Sequence, residues 1–370
     1  MKTDRRTTMA SVAERLQVSP FMTFFIIMSM QIGIGVLGFQ RIIAETAGHD
    51  AWISVLLAGA SSHLILILIY WLLQQADGDF VLLHQRLFGR WVGGVLSLLL
   101  VLYFAIMPFV VLSTYIEVVQ VWMFPDLKTW EFSLALFLLC LYITFGGFRI
   151  VVGICFFCLI IPSYLVFTFW FVLDYSDFYQ LLPIFDHSPS AILKAAKQMT
   201  LTMLGYETVL FFYPFIKGGK QSAKWAHAAV LTTTLFYTLL TILTLAYFSE
   251  NQLQRQIWPT LMMWKVVELP FIERFEYIGI ANWLLIILPN ICLGLWCSSR
   301  ICKQLFSIRQ KMALLVITTI CFFCTLWIDD RAEIDFANTI LNRAGFYFLY
   351  IWIPCLAGIT YIVKKVRGNV

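Results

Sequence analysis

Charge is what this sequence has least of. Lys, Arg, Asp and Glu make up 13% of its 370 residues, about half the ~25% of an ordinary soluble domain. So little polar surface does not cover a water-soluble globule. With 61% hydrophobic residues and a mean hydropathy of +0.83, the expected solvent is lipid. Strong zinc, phosphate-loop and dinucleotide signatures are also missing, so no cofactor, metal or nucleic-acid partner is expected and the chain reads as a non-enzyme. The nine cysteines are scattered mainly through apolar runs. Cys155 with Cys158, and Cys321 with Cys324, form CxxC pairs inside expected spans, away from any histidine cluster. They are read as small apolar packing residues. The first apolar run ends in no small-residue cleavage site and reads as a membrane span, not a removable signal.

What the chain does have is long apolar runs. A crossing needs about 20 mostly apolar residues, and on that length the sequence divides into ten spans. The first five run from Pro20 to Gln40, Ala51 to Leu73, Trp91 to Phe124, Trp130 to Phe145 and Ile150 to Leu173. The second five run from Lys194 to Ile216, Ala226 to Phe248, Phe275 to Ser298, Met312 to Ile328 and Ile340 to Val363. The expected organisation is a cytoplasmic segment 1–19, five-helix repeats over 20–175 and 190–363, and a cytoplasmic tail 364–370. Lys and Arg set the orientation. With both termini inside, the inner loops collect Arg86, Arg90, Arg149, Lys217, Arg300, Lys303, Arg309 and Lys311, together with the terminal Lys2, Arg5 and Arg6. The outer loops collect acids, among them Asp174, Asp177, Asp186, Asp329, Asp330, Glu333 and Asp335.

Two loops carry more than turns. Phe80 to Arg90, "FVLLHQRLFGR", is amphipathic and is expected along the inner interface. Gln256 to Leu269, "QIWPTLMMWKVVEL", reads either as a lid over an outward-facing cavity or as a plain interfacial helix.

Two spans carry residues that weaken a helix. In the first, "QIGIGVLGFQ" places Gly33, Gly35 and Gly38 within a few positions. The run fits an interrupted helix lining a protein-walled cavity or close packing through small residues. The sixth contains "MLGYE", with Gly205, Tyr206 and the carboxylate of Glu207 deep in an apolar run, and Pro214 beyond it. The sixth span opens the second five, so irregularities fall at matching places in two halves. An odd number of spans per half makes the second half enter from the opposite side, the arrangement of an inverted repeat. The expected fold is therefore an all-α integral membrane protein, a five-plus-five inverted repeat with discontinuous helices 1 and 6 and a site between them at the midplane.

Glu207 carries the most weight, because an ionisable group at mid-membrane costs at least about 2.5–3.5 kcal/mol and faces a cavity or a partner. It fits three roles: binding an amino group, carrying a proton, or capping the second half of its own helix. Tyr103 fits core packing or a cavity wall. Asn282 and Asn290 in the eighth span fit hydrogen bonds across helices. The middle of that span, "WLLIILPNICLG", holds no Ser or Thr, which disfavours sodium coupling and leaves proton coupling through Glu207 open.

"QIGIGVLGFQRIIAETAGHDAWISVLLAG", Gln31 to Gly59, resembles the B-subunit family of endospore nutrient-germinant receptors, the spore permeases. "SPFMTFFIIM" at Ser19 to Met28, "GYE" at Gly205 to Glu207 and "ERFEYIGIANW" at Glu273 to Trp283 match as well. The resemblance implies a branch of the amino acid–polyamine–organocation superfamily. It also implies an inner-membrane subunit that binds a small nutrient, often an amino acid, and signals germination with an A-subunit and a lipoprotein C-subunit. Family-like ligand contacts map by position onto Gly33, Gly35, Tyr103, Gly205, Tyr206 and Glu207. A proton-coupled amino-acid transporter is the competing reading.

Overall fold

In hydrocarbon a single apolar segment satisfies all its backbone groups only as a helix. The computed structural model describes residues 12–76, 78–270, 272–328 and 330–367, and these contain helices and two isolated bridges but no strand. The terminal Lys2, Arg5 and Arg6, and Asp329, lie outside the described residues, as does most of 1–19.

Seven helices are long and apolar enough to cross a membrane: Phe39–Gln75, Phe80–Trp122, Phe148–Leu173, Gly219–Tyr247, Phe275–Phe306, Gln310–Trp327 and Arg331–Val366. The expected spans outside that number are the fourth, which is 17 residues long as Thr129–Phe145, and the first and sixth, which are interrupted. The first consists of Met22–Gln31, a 3-10 turn Ile34–Leu37 and a second helix Phe39–Ala47, so it extends beyond the expected Gln40. The sixth consists of Pro189–Gln198, Thr200–Met203 and, after a break, the turn Tyr206–Thr208 and Val209–Phe212.

Phe275–Phe306 lies at the centre of the bundle. The most apolar stretch of this helix is 72% buried, the highest share of the seven, and it packs mainly on Phe80–Trp122. The two helices approach closely because Gly294 faces Pro108, where an added Cβ would sit 2.8 Å from the proline ring.

The stretch from Phe80, expected along the interface, packs one face on the protein. Gly89, at φ 78°, separates it from the membrane-crossing part of the helix, and its buried face turns into the protein. His84 is fully buried, with its ring nitrogens placed against Ser97 Oγ at 3.2 Å and Trp352 Nε1 at 3.3 Å. Those two partners satisfy a polar ring that periodicity alone assigns to the headgroups. On the opposite side, the loop after Gln256 folds into a short helix, Pro259–Met263, and a 3-10 turn, Trp264–Val266. Trp258, Leu261, Met263 and Trp264 are buried beneath it.

Candidate ligand-binding site

The first interruption frees carbonyls that a continuous helix would satisfy, and side chains from other segments take them up. Asn290 Nδ2 donates to Ser29 O at 2.8 Å and Met30 O at 3.1 Å. Tyr237 Oη donates to Gln31 O at 2.6 Å, Trp283 Nε1 to Gly33 O at 3.3 Å, and Thr260 Oγ1 to Val36 O at 2.8 Å. Buried backbone groups rarely go unpaired, so the break is held by the seventh and eighth spans and by the loop after Gln256. Its glycines make space. A Cβ on Gly38 would lie 2.7 Å from Ile257 O, so no side chain fits under the loop there.

The second interruption turns on Gly205, whose φ of +126° excludes an ordinary L side chain. A Cβ there would also lie 2.5 Å from Met30 Cβ, so the two breaks touch. Gln31 bridges them, its Nε2 donating to Met203 O at 3.1 Å. Glu207 closes the turn. Its Oε2 accepts from the Gly205 amide at 2.7 Å and its Oε1 from Tyr103 Oη at 2.7 Å.

Between the breaks lies a cavity of about 60 Å³. One buried water needs about 10–15 Å³, so this space admits roughly four to six water-sized groups, about the number of non-hydrogen atoms in alanine. Gln31, Gly33, Gly35, Thr202, Asn290 and Asn338 form its polar wall, and Met107, Val110, Val111, Leu201 and Leu341 its apolar one. Gln31 Oε1 and Asn290 Oδ1 are buried there without a partner. Because both amide nitrogens donate to carbonyls, the oxygens are fixed as free acceptors. The amides of Ile34 and Gly35, in the first turn after the break, likewise find no partner among the described residues.

A vestibule of about 300 Å³ adjoins the cavity, sharing Gly35, Leu201, Thr202 and Asn338, and reaches Arg331 and Asp335 beside Trp258 of the loop. Arg331 there bonds Glu117 Oε2 at 2.7 Å, which holds that half-buried carboxylate. The other side is closed. Val18 pairs with the end of the sixth span, through Val18 N to Phe215 O at 2.8 Å and Lys217 N to Val18 O at 2.9 Å.

Of the residues singled out from sequence, Gly33 and Gly35 line the cavity. Gly205 is the hinge of the second break. Tyr103 and Glu207 bond each other behind the wall, and Tyr206 is fully buried beside Ser62 and Tyr350. Asn290 bonds across helices as its type suggested, whereas Asn282 bonds its own helix at Ile278 O. Gln31, Thr202 and Asn338 were not singled out. The only signal for Gln31 was an amide at the mouth of the glycine run, and Asn338 precedes the expected tenth span. No group of three metal-ligating side chains occurs among the described residues.

The comparisons bear on the whole chain. Residues 17–334 match the spore permease family, described as spore germination protein. Spore germination protein GerQB of Bacillus cereus is 45% identical over 348 residues, covering 94% of this chain and 97% of that protein. Spore germination protein B2 of Bacillus subtilis (strain 168) is 25% identical over 362 residues, covering 94% and 96%. Among solved structures, a Na+-coupled sialic acid symporter in a substrate-bound outward-open state aligns with a TM-score of 0.67 at 14% identity, over 92% of this chain and 78% of that one. MhsT in complex with L-phenylalanine aligns at 0.61 and 15% identity, over 93% and 88%. These likenesses show a helical transporter fold. Matched over most of its length and 45% identical to a curated relative, the chain belongs to the spore germination protein family, the spore permeases.

Proposed function

We propose that this protein is the B-subunit of a spore germinant receptor, a multi-pass membrane protein with both termini cytoplasmic that binds a small amino acid between its two broken helices. On this reading residues 20–175 and 190–363 are the two inverted repeats, and the vestibule opens to the outer face. Binding signals to an A-subunit and a lipoprotein C-subunit. The observation that carries the proposal is the cavity itself, with two fixed amide oxygens, Gln31 Oε1 and Asn290 Oδ1, and no internal donor for either. An ammonium group supplies such donors. The free amides of Ile34 and Gly35 suit the carboxylate, as half-helix N-termini do. The cavity's size favours glycine or alanine over larger amino acids.

One observation favours a receptor over a cation-coupled transporter. In broken-helix transporters the carbonyls at the end of the first half-helix help hold the coupling ion. Here Asn290 and Tyr237 already donate to the carbonyls of Ser29, Met30 and Gln31.

The test is thermal stabilisation of the purified full chain by glycine, L-alanine and larger amino acids, paired with radiolabelled uptake into proteoliposomes. A ligand at a hundredfold its Kd stabilises by about 2.7 kcal/mol. The expected result is a shift with the small amino acids, unchanged when sodium is replaced by potassium, and no concentrative uptake. Concentrative uptake driven by a proton gradient would instead establish the transporter, and no shift with any amino acid would remove the site.

A further inference from the structure

The side that carries the N-terminal segment holds another cavity, of about 800 Å³, which shares no lining residue with the nutrient cavity or its vestibule. Arg149, Arg300, Lys303, Arg309 and Lys311 line it, and among the described residues no carboxylate does. Excess basic residues on one face are ordinary for a membrane protein and are then spread through solvated loops. These five converge on one concavity. Arg300 has a carboxylate nearby in Asp79, and the guanidinium of Arg149 donates to Arg15 O at 2.8 Å. Lys303 and Arg309 have no anionic partner among the described residues.

Two further features fix the kind of anion. The cavity floor is aromatic, with the Phe148 and Phe215 rings 4.7 and 5.2 Å from Trp296. Its rim lies where apolar helices end. Phe145 closes one helix and Phe306 another, and the turns after them, at 146–147 and 307–309, lead straight into the helices Phe148–Ile160 and Gln310–Trp327. Both of those helices start at the cavity wall without a side-chain cap, adding partial positive charge to the same place. Ile150, Phe306, Ile308 and Met312 are exposed around the cations. A ligand here meets positive charge, an apolar floor and an apolar flank at once.

We propose that this cavity binds the headgroup of an anionic phospholipid. The phosphodiester lies among Lys303, Arg309 and Lys311, and the glycerol and upper acyl chains lie against Phe145 and Ile308. Basic pockets between membrane helices take such headgroups. A free phosphate uses only the charge, and an acidic protein segment leaves the exposed apolar rim uncovered.

Native mass spectrometry of the full chain in detergent, with dioleoyl phosphatidylglycerol or dioleoyl phosphatidylcholine added, tests the assignment. Phosphatidylglycerol is expected to stay bound where phosphatidylcholine leaves. Lys303→Gln and Arg309→Gln should each weaken its retention about fivefold, and Lys303→Arg should restore it. A photoactivatable phosphatidylglycerol on the unaltered protein should crosslink within 145–149 or 307–312, which keeps the test independent of how the variants fold. Equal retention of the two lipids, crosslinks elsewhere, or inorganic phosphate displacing phosphatidylglycerol at equal concentration would overturn the proposal. So would an acidic peptide that binds the full chain while the lipid does not.

Discussion

Both carboxylate oxygens of Glu207 accept hydrogen bonds from the protein, one from the Gly205 amide and one from Tyr103. Of the three roles its sequence position allows, capping is the one its present partners serve. That separates two substitutions. Glu207→Gln keeps an acceptor for the amide and offers its NH2 to the Tyr103 oxygen, so the turn is expected to hold. Glu207→Leu strands two buried donors at about 1–3 kcal/mol each, and should lower the melting temperature in detergent markedly. If Glu207→Gln folds normally yet abolishes the amino-acid shift, the carboxylate has a ligand or proton role beyond the cap. Glu207 and Gly205 were legible in the sequence because an acid and a glycine in an apolar run are both costly. Asn290 was legible only as a polar residue. Its carbonyl partner Ser29 lies 261 positions away, a pairing that no local pattern encodes.

At the scale of elements, the loop after Gln256 is fastened to the first break by one hydroxyl. Thr260 Oγ1 donates to Val36 O and accepts from Gln40 Nε2 at 2.8 Å. Thr260→Val keeps the shape and removes both bonds, leaving the carbonyl and the amide unsatisfied. The expected outcome is faster amide exchange across 257–266 and a faster ligand off-rate, with the rest of the chain unchanged. Equal exchange in both proteins would show that apolar burial under Trp258 and Trp264 holds the loop unaided. From sequence this loop reads equally as lid or interfacial helix, since aromatics and methionines suit either place. Its close approach to Gly38 sets it against the first break, a contact that neither reading specifies. For the stretch at Phe80, periodicity shows that a face is apolar, and the structure adds that protein covers it.

For the whole molecule, the vestibule on one side and the Val18 pairing on the other predict one-sided access to the cavity. A cysteine at Thr202, in a Cys355→Ser background, should react with a membrane-impermeant thiol reagent added to the vestibule side. It should stay unreactive from the side of Val18, and glycine or alanine should protect it. Labelling from the Val18 side would mean that the closure seen here is readily reversed. The helical class and the matching breaks were visible in composition and spacing. The cavity's size was not, because it depends on how Met107, Val110 and Leu341 meet side chains far along the chain.

The wall of the cavity between the breaks has two unlike halves. One is polar, the turn at Gly33–Gly35 with the side-chain amides of Gln31 and Asn290, and because those amides also hold the two breaks, substitution there loosens the breaks as well. The other is Met107, Val110, Val111, Leu201 and Leu341, ordinary side chains open to exchange. If the cavity binds an amino acid as proposed, exchange in the second half would retune which side chain fits, while the first keeps the contacts that all amino acids share. Specificity would then drift through a few aliphatic positions, with the broken-helix frame left untouched.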